Sequence, residues 1–156
     1  MTTPVQHVAP EGRAKFPPLS AATRLGELVF VSGTPGYHED GSIDEGDFTA
    51  QFIQAAAVFR QTLERAGSDV RGLLKVNMLL TRAEDVAEMN RLYAEAFGPA
   101  PYPARTTCVV AALPDPRMLL EIEGVARASA DSSPCACSGA SFTPGGRTAR
   151  PAKGCK

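Results

Sequence analysis

The sequence predicts an α+β fold of order β-β-α-β-α-β-β, with both helices packed on one face of a single sheet. Three observations carry this. Short apolar and β-branched runs recur between turn residues, two longer stretches place apolar residues at helical spacing, and each of those stretches falls between strands. At 156 residues with 44% hydrophobic and 21% charged composition, the chain has the size and balance of one ordinary soluble domain.

Residues 1–18 are polar and proline-rich and read as a segment wrapping the surface. "LSAATRLG" (19–26) is a weak strand, turning at Gly26-Glu27 into "LVFVSG" (28–33), a buried strand stopped by glycine. "TPGYHEDGSIDEG" (34–46) is loop by its glycine, proline and acid content. Phe48, Phe52, Ala55, Ala56, Phe59, Leu63 and Ala66 then define a helix, with Gly67 as its stop. "LLKVNMLL" (73–80) is the third strand. Thr81-Arg82-Ala83-Glu84 fits a capping box with Thr81 at the N-cap. Val86, Met89, Tyr93, Ala96 and Phe97 form one face of a second helix, ended by Gly98-Pro99. "YPARTTCVVAALPDPRMLLEIEGVA" (102–126) reads as a hairpin of two apolar strands around an "LPDPR" turn. From Ala128 the composition shifts to small residues and proline, with Phe142 as its one large apolar residue. The expected division is a folded domain over 1–127 and a disordered tail over 128–156.

Charge and cysteine content narrow the function. Net charge is −1, but the tail holds Arg147, Arg150, Lys153 and Lys156 against Asp131. Taking those from the 16 bases and 17 acids leaves 12 and 16, a body of net charge −4. Such a body has no electrostatic footprint for nucleic acid. No apolar run reaches the roughly 18–20 residues of a membrane span, and the N-terminus lacks a signal-peptide core, so a cytoplasmic protein is expected. Cys108 stands alone in the body, which excludes an internal disulfide framework there. Cys135 and Cys137 lack a second pair at zinc spacing, and His7 and His38 lie in Pro/Gly-rich segments. Neither a metal site nor a histidine-centred triad is expected.

The hairpin carries the chemistry. By alternation, Arg105, Thr107, Val109 and Ala111 share a face with Leu119, Glu121, Glu123 and Val125. The opposite face, through Cys108 and Ile122, is unbroken apolar and is expected to receive the helices, which makes Cys108 a core residue. If Ala112 pairs with Met118, Arg105 lies diagonal to Glu123, and Glu121 sits four residues further along. Two readings stand on this pattern. One is an exposed sheet face with a surface ion pair of little energetic value. The other is a cleft, in which Arg105 grips a carboxylate with two parallel bonds and a separate glutamate moves a proton or holds water. The half-apolar face favours coverage by another copy of the chain, which would put these residues in an interface groove.

"FVSGTPG", "RAGSDVRGLLKVNMLLTRAEDVAEMNRLYAEAF" and the "PARTT…LP…LLEIE" series together resemble the RidA (YjgF) family over about residues 16–127. The resemblance implies a chorismate-mutase-like fold and a homotrimer with a central sheet-lined barrel and inter-subunit clefts. It also implies cofactor-free hydrolysis of a reactive enamine or imine to ammonia and a 2-oxo acid. By position, Arg105 resembles the family's carboxylate-binding arginine and Glu121 its water-positioning glutamate. Ser32 and Asn90 match cleft-lining positions. Leu19 stands where the archetypal branch carries tyrosine, and Thr107 where it carries cysteine. The R-T-T pattern is closer to pathway-specific relatives, among them aminomuconate-type deaminases. A carboxylated enamine or imine is therefore the expected substrate class, with Arg105 as anchor and Glu121 as proton carrier. The rival is a non-catalytic trimer that binds small carboxylates or a partner. A ribonuclease fits poorly with the acidic body and the absence of well-placed histidines.

Overall fold

The computed structural model describes residues 3–12 and 17–129. The tail expectation beyond Ser129 lies outside the described residues. The chain runs β1 (Gln6–Val8), β2 (Ala22–Leu25), β3 (Leu28–Thr34), α1 (Phe48–Arg65), β4 (Leu73–Leu80), α2 (Val86–Phe97), β5 (Ala104–Val109) and β6 (Leu120–Arg127). The six strands form one mixed sheet in the order β1-β2-β3-β6-β4-β5, so the expected α+β layer is present. No helix among the described residues is long and apolar enough to cross a membrane.

Both helices cover the sheet face formed by Val29, Val31, Val76, Met78, Leu80, Leu120 and Ile122, all buried. Phe52, Phe59 and Leu63 of α1 and Met89 of α2 fill the layer between, and Phe59 meets Phe97 edge-on at 6.2 Å. The β2–β3 hairpin turns at Gly26-Glu27 as expected, with Leu25 paired to Leu28. Gly67, at φ 78°, follows α1, and Gly98 caps α2.

Four sequence expectations are corrected. The first 18 residues contribute a strand, β1, paired antiparallel with β2. Thr81 caps no helix; its backbone N–H and its hydroxyl both donate to Leu119 O, at 3.1 and 3.4 Å, while a single 3-10 turn over Ala83–Asp85 leads into α2. The largest correction concerns residues 102–126, which are not a hairpin. β5 lies parallel to β4, and β6 inserts between β3 and β4. A parallel neighbour needs a crossover of about a dozen residues or more, which α2 supplies between β4 and β5. The polar pattern of β5 also suits an edge, since Arg105, Thr106 and Thr107 put polar groups on both faces, whereas β6 buries every second residue.

The fourth correction follows from this pairing. Arg105 pairs with buried Val76, and Thr107 with buried Met78, so both point to the helix face. Cys108 pairs with Leu79 on the open face and is exposed, not a core residue.

Candidate functional site

The residues singled out in the sequence fall into two groups, one around central β6 and one on the edge strand β5. Glu121 lies on the open face of central β6, opposite Leu79. The register of β3 against β6 slips between Val31 and Thr34, and that irregularity brings Gly33 onto the Glu121 side chain. A Cβ on Gly33 would stand 2.5 Å from both Cδ and Oε1 of Glu121, so the carboxylate occupies space that only a glycine leaves open. Burial pushes the Glu121 pKa above the ordinary carboxylate value, and the neighbouring Glu123 charge adds to it; no hydrogen bond offsets the shift. A half-buried carboxyl whose charged form is disfavoured in this way takes up and gives back a proton more readily than a solvated one does.

Glu121 opens into a cavity of about 1050 Å³ whose wall also includes Leu19, Ser32, Gly33, Tyr37 and Arg117. Ser32 Oγ donates to Ser20 O at 2.7 Å, fastening the segment that carries Leu19. Tyr37 donates to Asp115 at 2.7 Å, and Arg117 reaches the same carboxylate at 2.7 Å and holds it well below the usual carboxylate range. Behind them Gln51 is fully buried with its amide satisfied on both sides. Its Nε2 donates to Asp44 O and Arg117 O, each at 2.9 Å, and its Oε1 accepts from Leu119 N at 2.8 Å. One side chain thus ties the 34–46 loop to the start of β6, two residues before Glu121.

Arg105 forms the second group. Its guanidinium donates to Asn90 Oδ1 at 2.7 Å, approaches Met89 Sδ at 3.8 Å, and stands 4.6 Å over the Tyr93 ring. Tyr93 is buried against Phe97, with centroids 4.5 Å apart. The Tyr93 and Thr107 hydroxyls are buried without a hydrogen-bond partner among the described residues. Arg105, Asn90, Tyr93, Tyr102 and Pro103 line a hollow of about 360 Å³.

Within one chain, then, Leu19, Ser32 and Glu121 line one cavity and Arg105 and Asn90 line another, while Thr107, two residues along β5, lines neither. The expected Arg105–Glu123 pair does not form, because β4 separates β5 from β6 and the two side chains point to opposite faces. Glu123 instead accepts from Asn77 Nδ2 at 2.7 Å. The histidines are engaged elsewhere, His7 with Ser20 at 3.0 Å and His38 with Asp44 at 2.9 Å. Among the described residues no group of three or more His, Cys, Asp or Glu is placed to hold a metal ion.

Sequence reasoning missed Gly33, Gln51, Tyr37 and Arg117, and gave Tyr93 only a packing role. A glycine inside a strand run was the legible signal for Gly33, since it marks close approach of another group. The polar residues at the cavity wall are joined by contacts 66 to 78 positions apart, for which spacing gives no signal.

A family model described as "Endoribonuclease L-PSP" matches residues 9–128. A RutC family protein of Pyrococcus abyssi is 36% identical over 110 residues, covering 70% of this chain and 85% of that protein. Reactive Intermediate Deaminase A of Arabidopsis thaliana, a chloroplastic protein, is 35% identical over 102 residues, 65% of this chain and 54% of the relative. Among solved structures, RidA from an Antarctic Psychrobacter superposes with a TM-score of 0.70 at 30% identity, covering 78% of this chain and 98% of that one. Yeast Mmf1 superposes with a TM-score of 0.74 at 27% identity, covering 81% and 100%.

Proposed function

This chain belongs to the RidA family, and from that premise we propose that it is a cofactor-free deaminase that hydrolyses a carboxylated enamine or imine. Water adds across the C=N bond, ammonia leaves, and a 2-oxo acid remains. Arg105 anchors the carboxylate, Asn90 holds the guanidinium in place, and Thr107, Ser32 and Leu19 shape the cleft. Glu121 takes a proton from the attacking water and returns it to the departing nitrogen. The observation that carries this reading is Glu121 itself, a half-buried carboxyl with a raised pKa, facing a cavity across a glycine.

Since Arg105 and Glu121 point to opposite faces of one sheet, the working site is proposed to lie between copies in a homotrimer whose open sheet faces line a central barrel. The open face supports this, as Leu25, Leu28 and Phe30 are 49%, 42% and 45% exposed. Sedimentation showing a monomer at all concentrations would contradict it. The reading as a non-catalytic carboxylate-binding trimer draws on Leu19 and Thr107, which lack the hydroxyphenyl and thiol of the archetypal branch. The experiment that separates the two generates imino acids in situ with an amino-acid oxidase and follows imine loss. Accelerated loss supports the deaminase; no acceleration with any imine or enamine, unsaturated dicarboxylates included, leaves the binding module.

A further inference from the structure

The Arg105 hollow is floored by aromatic rings, and its chemistry narrows the substrate class. Tyr93 and Tyr102 stand with centroids 6.2 Å apart at 47°, and Pro103 closes the side. The Tyr93 ring is buried, whereas Tyr102 is 48% exposed despite sitting beside the cationic anchor. A guanidinium has five N–H donors. Asn90 and Met89 take one each, so three remain for a ligand among the described contacts. Arg105 is also the one charged residue among those lining the hollow, which leaves no second cation there for a distal carboxylate. Its volume of about 360 Å³ exceeds what a short aliphatic side chain would fill, and lies within the range of small-molecule sites.

We propose that this hollow selects carboxylated imines and enamines bearing a neutral aryl side chain, with the carboxylate on Arg105 and the ring stacked on Tyr102. The enamine tautomer of such a compound is conjugated from ring to carboxylate and therefore flat, which suits face-on stacking against the single exposed ring of Tyr102. Aromatic pairs of this kind contribute beyond the area they bury, enough for roughly a fivefold preference over an aliphatic analogue. The inference rests on the reading of Arg105 as carboxylate anchor, but it does not require turnover.

The test measures binding of the stable 2-oxo acids phenylpyruvate, 2-oxobutyrate and 2-oxoglutarate to the full chain by calorimetry. Phenylpyruvate is expected to bind about fivefold or more tightly than either of the others. In Tyr102→Leu, which keeps bulk and removes the ring, that ratio should collapse towards one. Arg105→Lys should weaken phenylpyruvate and 2-oxobutyrate alike. Equal affinities in the parent chain, tightest binding of 2-oxoglutarate, or a ratio that survives Tyr102→Leu would each overturn the proposal. Imine hydrolysis measured in parallel keeps the two ideas apart. Absent turnover with an intact phenylpyruvate preference sinks the deaminase reading and leaves the aryl shelf standing; turnover without the preference does the reverse.

Discussion

Arg105 and Glu121 are held in opposite ways. Arg105 stands on an edge strand with an exposed backbone, and side chains of α2 fix it: an amide oxygen, a sulfur and an aromatic ring. Glu121 stands on a central strand hydrogen-bonded on both sides, and its own side chain meets no donor among the described residues and lies in a partly desolvated place. The first arrangement suits a permanent cation that must present several N–H groups in a set direction. The second suits a group that must change protonation state, because burial without hydrogen bonds weakens the hold on its charge. The proposed anchor and the proposed proton carrier thus sit in different environments, and substitutions should affect them separately.

The largest effect is expected from Glu121→Gln. It keeps shape and removes the base, so kcat should fall by about 10²-fold or more while 2-oxo acid binding survives. Gly33→Ala should act on the same half, since its Cβ meets the carboxylate at 2.5 Å. A fall in kcat of about tenfold is expected, with carboxylate affinity little changed, because Arg105 is held by Asn90, Met89 and Tyr93 of α2 and not through Gly33 or Glu121. Arg105→Lys should give the complementary pattern, a rise in KM of about tenfold or more through loss of the planar two-pronged contact. Steady-state kinetics alongside calorimetry distinguishes the three, and loss of binding in Glu121→Gln would break the division.

Two smaller effects concern pH. The Glu121 pKa is raised in the folded chain, so folding favours its protonated form. The associated stability is present below the ordinary glutamate range and is lost as pH rises through the folded value. Glu121→Gln should therefore raise the melting temperature at pH 7–8 and leave it nearly unchanged at pH 4. Glu123→Gln removes the charge that helps raise Glu121, so the acid limb of the pH–rate profile should move to lower pH while kcat at its plateau changes little. An unchanged profile would show that Glu123 does not act on Glu121.

The strands and helices were legible where periodicity and stop signals agree, as in "LLKVNMLL", the α1 apolar face with Gly67, and the Gly26 turn. Strand order was not. Two apolar runs joined by a proline turn look like a hairpin locally, and the intrusion of β4 between them depends on α2 packing back over the sheet. That misplacement flipped β5, which moved Arg105 and Thr107 to the helix face and Cys108 to the open one. Glu121 and its face were legible because β6 alternates cleanly. Gln51 was not, since a lone glutamine at an apolar helix position has no pattern that announces a buried amide tying three backbone groups.

The most direct measurement of the central claim, that one substrate is held by Arg105 of one copy and processed by Glu121 of another, is complementation between inactive variants. Arg105→Ala and Glu121→Gln chains are prepared separately, then mixed under conditions that allow subunits to exchange. Some sites in the mixed assemblies combine an intact Arg105 with an intact Glu121, so imine hydrolysis absent from each variant alone is expected to reappear on mixing. If native mass spectrometry shows that the copies have exchanged and hydrolysis stays absent, the two residues do not meet across an interface, and the account is wrong.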